Sequence, residues 1–155
     1  MAKSFKQRAP PTPMCQGMYQ APVNRKWCVE IAASGFRPGD EVFLGAWPDE
    51  LMRLRLYTAA ARDAAISQRM DLRGNARTPY LTDLQCLADC TATTLGTNRL
   101  LKIPAAVRPA FGSKPPFDLV LCGLGQYVEL METHAYEAER GRAAAQFARP
   151  ASSRC

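Results

Sequence analysis

The sequence predicts an α+β fold, mainly β with short helices, in which two tandem units close one pseudo-symmetric barrel. Three observations carry that expectation. TNRLLKIPAA (97–106) and VNRKWCVEIAA (23–33) each write a basic turn, a short apolar run and a double alanine, roughly 74 positions apart. DLVLCG (118–123) repeats DEVFLG (40–45) with the acid and the glycine in the same places. Behind each of these runs comes an alternating strand and then a helical stretch. A unit of this size cannot bury its apolar faces alone, so two copies are expected to share one core.

In the first unit WCVEI is the opening strand and AASGFRPG a short helical turn. DEVFLG follows as a buried strand. MRLRLY (52–57) then alternates, with Met52, Leu54 and Leu56 inward and Arg53 and Arg55 facing solvent. TAAARDAAISQRM closes the unit as a helix. In the second unit LLKIP is a strand ended by Pro104, and AAVRPAF is the short helix. DLVLCG is again the buried strand, YVELM (127–131) a half-buried one, and THAYEAERGRAAAQF the helix. Each long helix opens on a threonine able to cap it. Between the units, MDLRGNARTPYLTDLQCLADCTATTLG is punctuated by Gly74, Asn75 and Pro79. The expected organisation is a basic end (1–14), a first unit (15–70), a linker (71–84), a second unit (85–139) and a second basic end (140–155).

Composition excludes several function classes. The 155 residues suffice for a packed core without disulfide staples. No apolar run approaches the roughly 20 residues of a membrane helix, and no apolar segment follows the basic N-terminus as in a secretory signal, so a cytoplasmic location is expected. Six cysteines are spread thinly. CLADC has no second ligand pair, so the cysteines read as reduced, apolar packing residues, with neither metal nor cofactor expected. The single histidine, His134, sits early in a helix as a surface or capping residue. With no nucleophile, metalloprotease or phosphate-loop motif present, no catalytic residue is assigned.

Charge is unevenly placed. Lys3, Lys6 and Arg8 stand at one end without an acid, and Arg140, Arg142, Arg149 and Arg154 at the other. The +6 of the whole chain therefore leaves residues 14–139 at −1, with thirteen basic against fourteen acidic side chains. Net charge alone says little about partners; cations placed on tight turns between strands can reach phosphates or the guanine edge.

GMY (17–19), the basic turns, DEVFLGAWPDE, MRLRLY, NRLLKIPAAVR and DLVLCGLGQYVELMETHAYEAE together resemble the MraZ transcriptional regulators over about residues 15–139. The resemblance implies two fused AbrB-type swapped-hairpin units, a double-split barrel. It also implies a ring-shaped homo-oligomer that binds double-stranded DNA at repeated promoter boxes, those of a cell-division and cell-wall gene cluster, in the nucleoid. The residues it points to are Asn24, Arg25 and Lys26 in one turn, and Asn98, Arg99 and Lys102 in or beyond the other. Either Arg25 or Lys26 matches Arg99. The family's turn, D-x-x-G-R, is altered: Leu95 and Ala21 stand at the aspartate positions and Asn98 at the glycine. Asparagine tolerates the left-handed backbone that a glycine supplies there. The rival expectation is an AbrB-fold protein-binding module, antitoxin-like or a scaffold, that no longer recognises a promoter.

Overall fold

The computed structural model describes residues 17–33, 35–47, 53–72 and 78–147. Both expected basic ends lie partly or wholly outside these residues, as do Met52, Cys15 and Cys155. The elements run β1 (Met18–Val23), β2 (Cys28–Glu30), β3 (Glu41–Trp47), β4 (Arg53–Thr58), α1 (Ala59–Leu72), α2 (Thr78–Ala88), β5 (Thr91–Thr94), β6 (Leu100–Lys102), β7 (Phe117–Gly123), β8 (Val128–Glu132) and α3 (Thr133–Phe147). A short 3-10 helix, Ala105–Ala110, lies between β6 and β7. The fold is a mixed α+β arrangement with antiparallel strands.

Six strands form one sheet in the order β1-β7-β8-β4-β3-β5, and β2 pairs with β6 as a separate two-stranded ribbon. Among the described residues the sheet is open, with β1 and β5 as its edges, so the expected closed barrel is not seen. The ribbon instead lies over one face. Exchanging β1 with β5, β3 with β7 and β4 with β8 returns the same order read backwards. The two halves are thus related by a pseudo-twofold axis that passes between facing Arg55 and Glu129 in the sheet and between facing Val29 and Leu101 in the ribbon. Each half lends its first strand to the other: β1 pairs with β7, and β5 with β3.

Backbone hydrogen bonds fix the equivalence residue by residue. Ile31 N donates to Arg99 O at 3.0 Å and Ile103 N to Trp27 O at 2.8 Å, so Ile31 answers to Ile103 and Trp27 to Arg99. Neither Arg25 nor Lys26 matches Arg99, and Val23, not Ala21, is the counterpart of Leu95. The buried strands shift by one residue as well. Val23 faces Phe117 while Leu95 N donates to Asp40 O, so Glu41, not Asp40, corresponds to Asp118. The acid and glycine shared by the two words made the register one residue out look better.

The main core fills the space between sheet and ribbon. Val29, Ile31, Leu101 and Ile103 meet Val42, Leu44, Leu54, Leu56, Leu119, Leu121, Val128 and Leu130, all nearly inaccessible to solvent. Burying this many aliphatic side chains, each worth about 1.5–3 kcal/mol, is the principal drive to fold. On the other face Trp47, Tyr57, Ala61, Ala65 and Leu87 join β3, β4, α1 and α2. The end of the expected linker therefore becomes helix α2, packed on α1 and the sheet.

Other expectations are corrected at the level of single elements. Residues 31–33 and 35–40 carry no helix, because Gly35 and Gly39 take positive φ (93° and 89°) and Arg37 N is held by Asp40 Oδ2 at 3.0 Å. Strand β8 is buried on both faces from Val128 to Met131, since α3 lies on the side expected to be wet. Arg53 and Arg55 do not face solvent. Their side chains are 29% and 20% exposed, Arg53 paired with Glu129 and Glu139, and Arg55 with Asp83. Thr58 Oγ1 accepts from Ala61 N at 3.1 Å and caps α1, but Thr133 Oγ1 donates to Asp118 O instead of capping α3.

Candidate nucleic-acid interface

The two basic turns share one main-chain design. In turn one, Trp27 N donates to Asn24 O at 2.9 Å and Asn24 N to Cys28 O at 3.0 Å; in turn two, Arg99 N donates to Gly96 O at 3.0 Å and Gly96 N to Leu100 O at 2.9 Å. Each turn ends on a residue at positive φ, Trp27 at 62° and Arg99 at 57°. What secures them differs. Asn24 Oδ1 accepts from Lys26 N at 2.8 Å and Cys28 N at 3.0 Å, closing turn one with a side chain. Turn two has no such bond among the described residues and uses a second left-handed residue, Asn98 (φ 60°, ψ 23°), at the place where the resemblance has glycine.

Because β2 and β6 are antiparallel, the turns sit at opposite ends of the ribbon. Lys102 faces Cys28 and so joins Arg25 and Lys26 at the turn-one end. Glu30 faces Leu100 and lies by Asn98 and Arg99 at the turn-two end. The side chains of Asn24, Arg25, Lys26, Asn98 and Lys102 are exposed and that of Arg99 is half-buried. Among the described residues no ion pair engages Arg25, Lys26, Arg99 or Lys102. All six sequence-derived site residues thus fall on one ribbon, divided between its ends. A groove of about 340 Å³ flanks it, lined by Tyr19, Asn24, Cys28, Glu30 and Leu100 among others. Burial raises the Tyr19 pKa against the pull of its backbone donors, and its hydroxyl accepts from Ala32 N at 2.7 Å.

Trp27 has no sequence signature that marks it, yet it anchors turn one. Its ring meets Phe117 edge-on at 5.8 Å and Phe111 at 6.0 Å, and the Arg108 guanidinium lies 5.3 Å above it. Arg108 Nε also donates to Ile103 O at 2.9 Å. Only the fold brings these residues together, across 90 positions of sequence from Trp27 to Phe117.

Elsewhere, Cys90 Sγ contacts Cys86 O, and burial pushes its thiol up to about 11. Among the described residues no group of three His, Cys, Asp or Glu side chains could hold a metal ion, and no helix is long and apolar enough to cross a membrane. His134 is exposed in the first turn of α3.

Fold and site together define an α+β protein with a pseudo-twofold sheet and a ribbon that carries a basic turn at each end. No protein-family model matches the chain, and no curated protein matches it.

Proposed function

We propose that the protein binds duplex DNA through the two turns of its ribbon and acts as a transcriptional regulator of the MraZ kind, its halves being AbrB-type swapped-hairpin units. The observation that carries this is the set of cations Arg25, Lys26, Lys102 and Arg99, unpaired among the described residues, on or beside the hydrogen-bonded turns at the two ends of one ribbon. Cations that form no ion pair among the described residues, on hydrogen-bonded turns, suit a polyanion, and a ribbon is narrow enough for the roughly 12 Å major groove. The exchange of first strands between halves supports the swapped-hairpin reading. The edges β1 and β5, unpaired among the described residues, favour self-association into a ring, which would set many ribbons against repeated boxes.

Genome-wide recovery of DNA bound to the tagged protein tests the proposal, together with duplex binding measured over a range of salt. Enrichment at repeated promoter sequences and a steep fall of affinity with salt are expected. Salt-independent capture of a protein, with no DNA enriched, would favour the protein-binding module instead.

A further inference from the structure

The pseudo-twofold axis relates the hydrogen-bonded frames of the two turns but not their chemistry. Where turn two presents Arg99, turn one has Trp27, and that ring is turned into the fold against Phe111 and Phe117. The amide of Asn24 is likewise occupied, its oxygen taken by two backbone N–H groups. What remains exposed at the turn-one end is Arg25, Lys26 and Lys102, three cations on flexible stems. At the turn-two end stand Arg99, Asn98 and Glu30.

These two sets suit different parts of a duplex. A group of three cations that makes no ion pair among the described residues matches the phosphate backbone, which is the same for every sequence. An arginine with a carboxylate close by is a poorer phosphate ligand, because the acid repels the same oxygens. Arginine, asparagine and glutamate are also the side chains that pair with guanine, adenine and cytosine edges in the major groove. Resting on the DNA-binding reading above, we propose that the ribbon is functionally asymmetric: the turn-two end, with Arg99, Asn98 and Glu30, reads bases, while the turn-one end, with Arg25, Lys26 and Lys102, grips phosphates. One chain then reads one half-site, and its preferred sequence lacks the twofold symmetry of its fold.

The test begins with duplexes selected by the intact protein from a randomised pool. Affinity for the selected duplex and for a scrambled one is then measured at several salt concentrations. Arg99→Ala is expected to lower the ratio of the two affinities by about tenfold or more and to leave the salt slope nearly unchanged. The double variant Arg25→Ala/Lys26→Ala is expected to weaken both duplexes alike, keep their ratio and flatten the slope by about 2. Glu30→Gln should alter preference at a single base pair. These side chains make no ion pair among the described residues, so melting curves close to wild type are expected and serve as the control. A selected sequence with two equivalent half-sites, or loss of discrimination in the turn-one variant, would overturn the asymmetry and leave DNA binding standing. No salt-dependent binding to any duplex would overturn both.

Discussion

Trp47 donates its indole N–H to Asp83 at 2.7 Å, and by that bond strand β3 holds helix α2 against the outer face of the sheet. Asp83 also accepts from Arg69 of α1, and Arg55 approaches it at 3.9 Å. The Arg55 guanidinium in turn lies 4.6 Å from the ring centroids of both Trp47 and Tyr127. One carboxylate thus ties α2 to α1, β3 and β4.

Asp83→Ala should therefore loosen α2. Burial by itself would raise the Asp83 pKa, but the Trp47 donor and the two guanidiniums more than offset it, and the net shift is downward. A carboxyl whose folded pKa lies below its unfolded value of about 3.9 stabilises the fold at neutral pH, and that contribution is lost as pH falls through the folded value. The variant is expected to be less stable than wild type by about 1–2 kcal/mol at pH 7, with the gap closing below about pH 4. Urea denaturation across that pH range measures it; an equal gap at both ends of the range would contradict the assignment.

Gly45 in β3 is a packing requirement. A Cβ there would stand 2.7 Å from Cys90 Sγ and 3.0 Å from a ring carbon of Trp47. Gly45→Ala should cost about 1–3 kcal/mol through this overpacking. In a Cys90→Ala background the nearest clash is gone, so the same change should cost markedly less. Additive losses in the double variant would mean that Cys90 is not the obstacle.

The repeated words were enough to read two similar halves, because apolar periodicity and turn residues are local signals. DEVFLG and DLVLCG became β3 and β7, and MRLRLY and YVELM became β4 and β8. Strands β1 and β5 went unread. TATT (91–94) has no apolar alternation, since β5 is a sheet edge with little to bury. Arg53 and Arg55 read as a wet face because their partners, Glu129, Glu139 and Asp83, come from β8, α3 and α2. The candidate residues were legible as polar positions in or beside two turns, exposed but for the half-buried Arg99. Their register was not, since Trp27 matches Arg99 only through backbone bonds that no side-chain similarity reports.

Thiol chemistry gives a third prediction. Cys90 and Cys28 are both half-buried, but Cys90 packs against the cluster under α2, where burial pushes its thiol up to about 11, whereas Cys28 begins β2 beside turn one. The thiolate is the reactive form, so alkylation near pH 8, resolved by mass spectrometry, should modify Cys28 well before Cys90. Denaturant that opens α2 should remove the difference. Equal rates in the native protein would show that α2 does not cover Cys90.

Arg108 separates scaffold from interface. Its Nε bond to Ile103 O and its place over Trp27 brace the end of β6 against turn one, and it lies outside the exposed set at either end of the ribbon. Arg108→Ala removes a charged hydrogen bond to a backbone carbonyl and a cation over an indole, for an expected loss of about 2 kcal/mol. Trp27 keeps its contacts with Phe111 and Phe117, so the turn should hold its shape below the melting transition. Arg108→Lys retains the charge but not the planar Nε donor, and should recover less than half of the lost stability. Thermal melting and duplex binding, measured on the same samples, read the two consequences separately. A lower melting temperature with unchanged affinity is expected. Wild-type melting with weakened binding would instead make Arg108 a direct contact to DNA, and the phosphate-gripping end would extend to the far side of Trp27.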